Sequence, residues 1–86
     1  DTSWGVQVGA FSSNELAMQA ARNAAQLAAK PLAGSNIVVV GPAMSGVPVH
    51  RARFENLSQT QARKACEALI NNNSPCFIFK ISPNTL

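Results

Sequence analysis

Two arginines, Arg51 and Arg53, carry the sharpest chemical signal in this 86-residue chain. On an extended strand, residues two apart share a face, which would set the two guanidinium groups about 6.5 to 7 Å apart and parallel. Each guanidinium is a rigid planar fork that grips a carboxylate through two hydrogen bonds. Gln7 adds an amide that both donates and accepts. It lies in the block Trp4-Gly5-Val6-Gln7-Val8-Gly9-Ala10-Phe11, where Trp4, Val6 and Val8 alternate with Gly5, Gln7 and Gly9. Glycines beside Gln7 remove side-chain bulk and let an extended polymer approach the backbone. The plainer alternative is a solvated sheet face on which the arginines only maintain solubility.

A catalytic centre is hard to assemble from the rest. The single histidine, His50, alternates with Arg51 and so falls on the core side of its strand, away from any serine or cysteine partner. Glu15, Glu55 and Glu67 belong to a helix start, a strand end and a helix face, so no carboxylate pair forms. Gly5 and Gly9 do not make a phosphate loop, because no glycine-rich turn opens a helix after the strand. Two cysteines and one histidine do not complete a four-ligand zinc site. The chain reads as a binding domain, with no enzyme activity, cofactor or metal of its own.

Cys66 lies on the apolar stripe of a helix, and Cys76 opens the strand that returns beneath it. Such a return could bring their Cα atoms within bonding distance. Two readings stand side by side, a disulfide or a pair of small hydrophobic thiols in the core. An oxidising, extracytoplasmic setting would select the disulfide.

The elements that must position these groups follow from pattern. The Trp4–Phe11 alternation predicts a strand with one buried and one bare face. Ser12 and Glu15 have capping-box spacing, with Phe11 and Leu16 at the flanking staple positions. The helix behind them carries a stripe of Ala17, Ala20, Ala21, Ala24, Leu27 and Ala28 up to Pro31 and Gly34. Ile37–Val40 is a second strand, and Gly41–Pro48 is its hairpin connection. The third strand, Val49–Phe54, turns Val49, Arg51 and Arg53 one way and His50, Ala52 and Phe54 the other. Ser58 and Gln61 repeat the capping-box signature before a helix with the stripe Ala62, Ala65, Cys66, Leu69. Asn71–Pro75 breaks it, and Cys76–Ser82 is the last strand; its Phe77 and Phe79 read as core if they face the helices, and as rings for sugar stacking or a partner if they face the open side, with the core reading preferred.

The order βαββαβ predicts an α+β fold of the split-βαβ, ferredoxin-like or RNP-like type, a four-stranded antiparallel sheet with two helices on one face. The opposite face then stays open, with Gly5, Gln7, Gly9, Val49, Arg51 and Arg53 on it. Residues 4–82 form the domain, with 1–3 as a linker remnant and 83–86 as a tail; an Asp1 start reads as a position inside a longer protein.

Composition agrees with one small domain. Hydrophobic residues make up 47% of the chain and charged residues only 13%, about half the usual share. A chain of this length buries only about 60–65% of its unfolded surface, enough for one thin core and no deep cavity. No apolar run approaches the roughly 20 residues of a membrane span, and no signal peptide is visible. The net charge is +3; the residues before Val49 balance, so the whole excess comes from Val49 onward. That suits a partner with sparse negative charge rather than a nucleic acid.

Trp4–Phe11 followed by a Ser-capped helix closely resembles the opening of SPOR domains, the sporulation-related repeat of bacterial envelope proteins. Val49-His50-Arg51-Ala52-Arg53-Phe54, the alanine-rich second helix and the Cys76–Lys80 strand are similar to that family's remaining blocks. The resemblance covers Trp4 to about Ile81. It implies a monomeric periplasmic or cell-envelope module, not inserted in the membrane, that binds peptidoglycan glycan strands stripped of their stem peptides. Such modules bring a parent cell-wall enzyme, such as a carboxypeptidase, amidase or transglycosylase, to the division septum. The family's binding glutamine falls on Gln7, its strand-three arginine on Arg51, and its polar positions after the first strand on Ala10 and Ser13. Ala10 stands where serine is commoner, and Glu55-Asn56 where the family has Gly-Pro.

Two other readings use the same open face. One is a protein-interaction or dimerisation module. The other is RNA binding, since RNA-recognition modules share this topology; they stack bases on central-strand aromatics, whereas Gly, Gln, Val and Arg occupy those positions here.

Overall fold

The computed structural model describes residues 2–42 and 48–81. The alternating block forms strand β1 (Trp4–Phe11), followed by helix α1 (Asn14–Leu27), β2 (Asn36–Val40), β3 (His50–Leu57), α2 (Gln59–Asn71) and β4 (Phe77–Lys80). The strands make one antiparallel sheet in the order β2-β3-β1-β4. This is the α+β, ferredoxin-like split βαβ fold. The hairpin connection expected at Gly41–Pro48 lies mostly outside the described residues, as do Asp1, Ser82 and the expected tail at 83–86.

Both helices pack on one side of the sheet. From the strands, Val6, Val8, Ala52, Phe54 and Leu57 are buried, and Ala17, Ala21, Ala24 and Ala28 meet them from the first helix and its cap. Alanine at those positions lets α1 lie close to the sheet, because no long side chain props the layers apart. From α2, Ala62, Ala65, Cys66 and Leu69 complete the core, which is the stripe expected from spacing. Phe54, 2% exposed, is the largest fully buried side chain; truncating such a ring to alanine costs about 3–5 kcal/mol. The molecule measures only 17 Å along its shortest axis, the thickness of one sheet and one helix layer.

The helix starts show where pattern succeeds and where it slips. At α2 the capping box forms in full: Gln61 donates its backbone N–H to Ser58 Oγ, and Ser58 donates its own to Gln61 Oε1. At α1 the expected Ser12–Glu15 box does not form. Ser13 is the cap, accepting from the Leu16 backbone N–H at 3.2 Å. β1 runs through Phe11 before the chain turns, so the helix begins one residue late. Glu15 stays in the first turn, where its charge still favours the helix dipole. Leu16 loses its staple role and stands 46% exposed, and Leu27, expected on the stripe, is exposed at the helix end.

Cys66 and Cys76 form a disulfide, with Cα atoms 5.3 Å apart. This bond pins the start of β4 beneath α2 and sets the parity of the strand. With Cys76 turned toward the helix layer, alternation sends Phe77 and Phe79 the other way. The expectation that these rings belong to the core is therefore corrected: Phe77 is 65% exposed, and Phe79 contacts Arg53 on the uncovered face.

Candidate functional site

Register across the sheet assembles the candidate site. Gln7 on β1 faces Arg53 on β3 and Phe77 on β4, and Arg53 in turn faces Val38 on β2. Phe77, Gln7, Arg53 and Val38 therefore form one row across all four strands, with side chains on the face away from the helices. A second row holds Ala10, Arg51 and Val40.

Two bulges shape this surface. Between Gln7 and Gly9 the β1–β3 register shifts by one residue, which leaves Val8 extra on β1. The inserted residue flips the parity beyond it. Gly9, expected on the platform, instead pairs with the buried Ala52, and Ala10 takes the outward place opposite Arg51. Gly9 has φ +148°, and a Cβ there would lie 2.7 Å from the Phe11 ring, so glycine is required. The second bulge lies between Trp4 and Val6 and gives β3 the extra residue, with Asn56 at φ 71°. Asparagine tolerates that left-handed geometry, which lets β3 continue to Leu57 where the sequence alone ends it at Phe54.

The two arginines are held differently. Arg53 donates from Nε to Gln7 Oε1 at 3.1 Å, and its Cζ lies 4.9 Å from the centroid of the Phe79 ring. The ring reaches Arg53 from β4 by crossing β1 at Gly5, where a Cβ would lie 2.6 Å from Phe79 Cζ. Gly5 is thus the gap through which an edge-strand ring supports a central-strand arginine. A cation–ring contact of this kind contributes about 0.5–1 kcal/mol near solvent, and the hydrogen bond about 1 kcal/mol. Together they hold one guanidinium in place. Arg51, half-buried opposite exposed Ala10, has no hydrogen bond or ion pair to any described residue.

The bond between Arg53 and Gln7 sets the polarity of the patch. Gln7 turns its carbonyl oxygen to Arg53 and leaves both amide N–H groups uncommitted among the described residues. The terminal nitrogens of Arg53 and all five N–H donors of Arg51 are likewise available. Donors dominate the two central strands, and their natural complement is a carboxylate or a carbonyl oxygen.

The other candidate residues contribute less. Ser13 lies two residues past β1 as the α1 cap, where its hydroxyl oxygen already accepts from the Leu16 backbone N–H. Val49 precedes β3 and is half-buried. His50 is half-buried opposite Phe11, and both cysteines are consumed by the disulfide, so neither thiol is open to metal or to nucleophilic chemistry. The residues that alternation from sequence missed are Phe77, Phe79, Val38 and Val40. Pairing Cys66 with Cys76 would have placed the two phenylalanines, because strand parity follows from Cys76.

No protein-family model, curated protein or solved structure matches the chain. The disulfide is compatible with an oxidising compartment, and among the described residues no helix is long and apolar enough to cross a membrane.

Proposed function

We propose that this domain binds peptidoglycan glycan strands that have lost their stem peptides, and so localises a parent cell-wall or division protein in the periplasm or cell envelope. The observation that carries the reading is the uncovered sheet face on which Gln7, Arg53 and Arg51 present donors in adjacent positions. Removing a stem peptide frees the lactyl carboxylate of each muramic acid. A denuded strand is therefore an extended polymer with regularly spaced, sparse anions and acetamido carbonyls. Arg51 grips a carboxylate with its free fork, while Arg53 and Gln7, already locked together, meet the next acceptor at little entropic cost. An attached peptide removes the charge and collides with the flat face, so discrimination comes from lost attraction and from a clash. The likeness of Trp4–Phe11 and Val49–Phe54 to SPOR-domain blocks points the same way.

One observation favours a second reading. The exposed Phe77 beside Arg53 also resembles a base-stacking surface for single-stranded RNA. Against it, the aromatics are on the edge strand rather than the central pair, the excess charge is only +3, and the disulfide suits a compartment without RNA.

The test is co-sedimentation with purified sacculi, untreated and amidase-treated. The expected result is retention that rises with amidase treatment and falls with Arg51→Ala. Equal retention on both preparations would overturn recognition of denuded strands, and retention on neither would favour a protein partner or RNA.

A further inference from the structure

The two phenylalanines of β4 have different fates. Phe79 is laid over Gly5 and beneath the Arg53 guanidinium, so its ring is spent on holding that arginine. Phe77 touches no ring or cation among the described residues and stands 65% exposed, more than any other large hydrophobic side chain described. An exposed phenylalanine standing alone is ordinary. This one is in register with Gln7, at the end of the row of hydrogen-bond donors. Its strand is held by the disulfide, which limits how far the ring can withdraw.

Resting on the glycan reading above, we infer that Phe77 is a stacking subsite for the apolar face of a neutral N-acetylated pyranose, the sugar next to the one whose carboxylate meets the arginines. Both faces of a phenyl ring carry negative π density, and the C–H groups on one side of a β-linked pyranose, slightly positive, complement it. The β4 and β3 backbones are two interstrand spacings apart, about 9.5 Å, a span that two consecutive sugars of a β-1,4-linked chain cover between them, one leaning toward each strand. A strand lying across the sheet then sets a neutral sugar on Phe77, its acetamido carbonyl near the Gln7 amide, and a muramic carboxylate on the arginines. The geometry gives the site a direction, aromatic at the β4 edge and cationic at β3, and assigns it a second ligand class: uncharged β-1,4-linked N-acetylglucosamine oligomers.

Chitotetraose, which has the sugar faces and acetamido groups but no carboxylate, separates the two halves of the site. Titrated into the isotopically labelled domain, it is expected to bind weakly and to shift the Phe77 ring resonances. Covering one ring face is worth roughly a five- to tenfold change in affinity. Phe77→Ala is accordingly expected to weaken both chitotetraose and amidase-prepared denuded strands by about that factor. Phe77→Trp retains both ligands. Arg51→Ala leaves chitotetraose unaffected and weakens only the denuded strands. Unshifted Phe77 resonances, or a Phe77→Ala domain that binds denuded strands like wild type, would overturn the subsite while leaving the glycan reading intact. Wild-type failure on denuded strands would overturn both, and Phe77-dependent binding of single-stranded RNA in their place would assign the ring to base stacking.

Discussion

Arg51 and Arg53 share a residue type, a strand and a face, yet the sheet gives them different work. Arg53 is braced by Gln7 and Phe79, so its placement costs little when a ligand arrives. Arg51 has no such brace among the described residues, so the ligand itself must order it. The substitution that isolates this logic is Gln7→Glu. A glutamate there keeps an acceptor for Arg53 Nε and gains an ion pair, so thermal stability is expected to hold or rise slightly. It also replaces two outward donors with a negative charge, and binding of denuded strands is expected to fall by more than about tenfold, or ~1.4 kcal/mol. Calorimetric titration beside a melting curve reads both; unchanged affinity would show that donor polarity is not what selects the ligand. Replacing the braced arginine tests the other half. Arg53→Lys keeps the charge but loses the Nε donor and the planar group over Phe79, so affinity is expected to drop severalfold although net charge is unchanged. The arginine pair and Gln7 were legible in the sequence because period-two alternation needs only the presence of a strand. Alternation misplaced Gly9 and could not place Ala10, which came only through the family resemblance, since a single inserted residue at Val8 exchanges their faces and leaves no mark in hydropathy.

At the scale of elements, the decisive feature is the link between α2 and β4. The Ala62–Leu69 stripe and the Ser58–Gln61 capping box were readable directly, because helical spacing and cap chemistry are local. The parity of β4 was not. Its residues Phe77 to Lys80 are apolar or amphipathic on both faces, so hydropathy offers no choice between them. The disulfide makes the choice, and the sequence alone left that bond open. The double substitution Cys66→Ala with Cys76→Ala is expected to lower unfolding free energy by about 3 kcal/mol, the loop-closure term for a link of this span. Urea denaturation measures it. Because β4 is short and forms the sheet edge, the same variant is expected to weaken glycan binding at concentrations of urea that leave the core folded. Full retention of binding there would mean that β4 does not need its anchor to present Phe77 and Phe79.

The molecule as a whole is a thin two-layer body with its helices on one side, and that asymmetry makes the open sheet available as a site. An extended polymer needs a surface it can cross without threading a cavity, and a 17 Å body provides one. The layer arrangement followed from the βαββαβ order, and it positions the candidate residues before any one contact is considered. A modest positive excess, concentrated in the second half of the chain, attracts sparse anions without the salt sensitivity of a polyanion binder. Single-site affinity on so open a surface is expected to be weak, with repeated sites along the wall giving retention. The most direct test is backbone amide shift mapping of the labelled domain titrated with amidase-prepared denuded glycan strands. The account expects the perturbed amides to cluster at Gln7, Ala10, Arg51, Arg53, Phe77 and Phe79, with both helices silent. Perturbations centred on α1 or α2, or none on the sheet at saturating glycan, would contradict it.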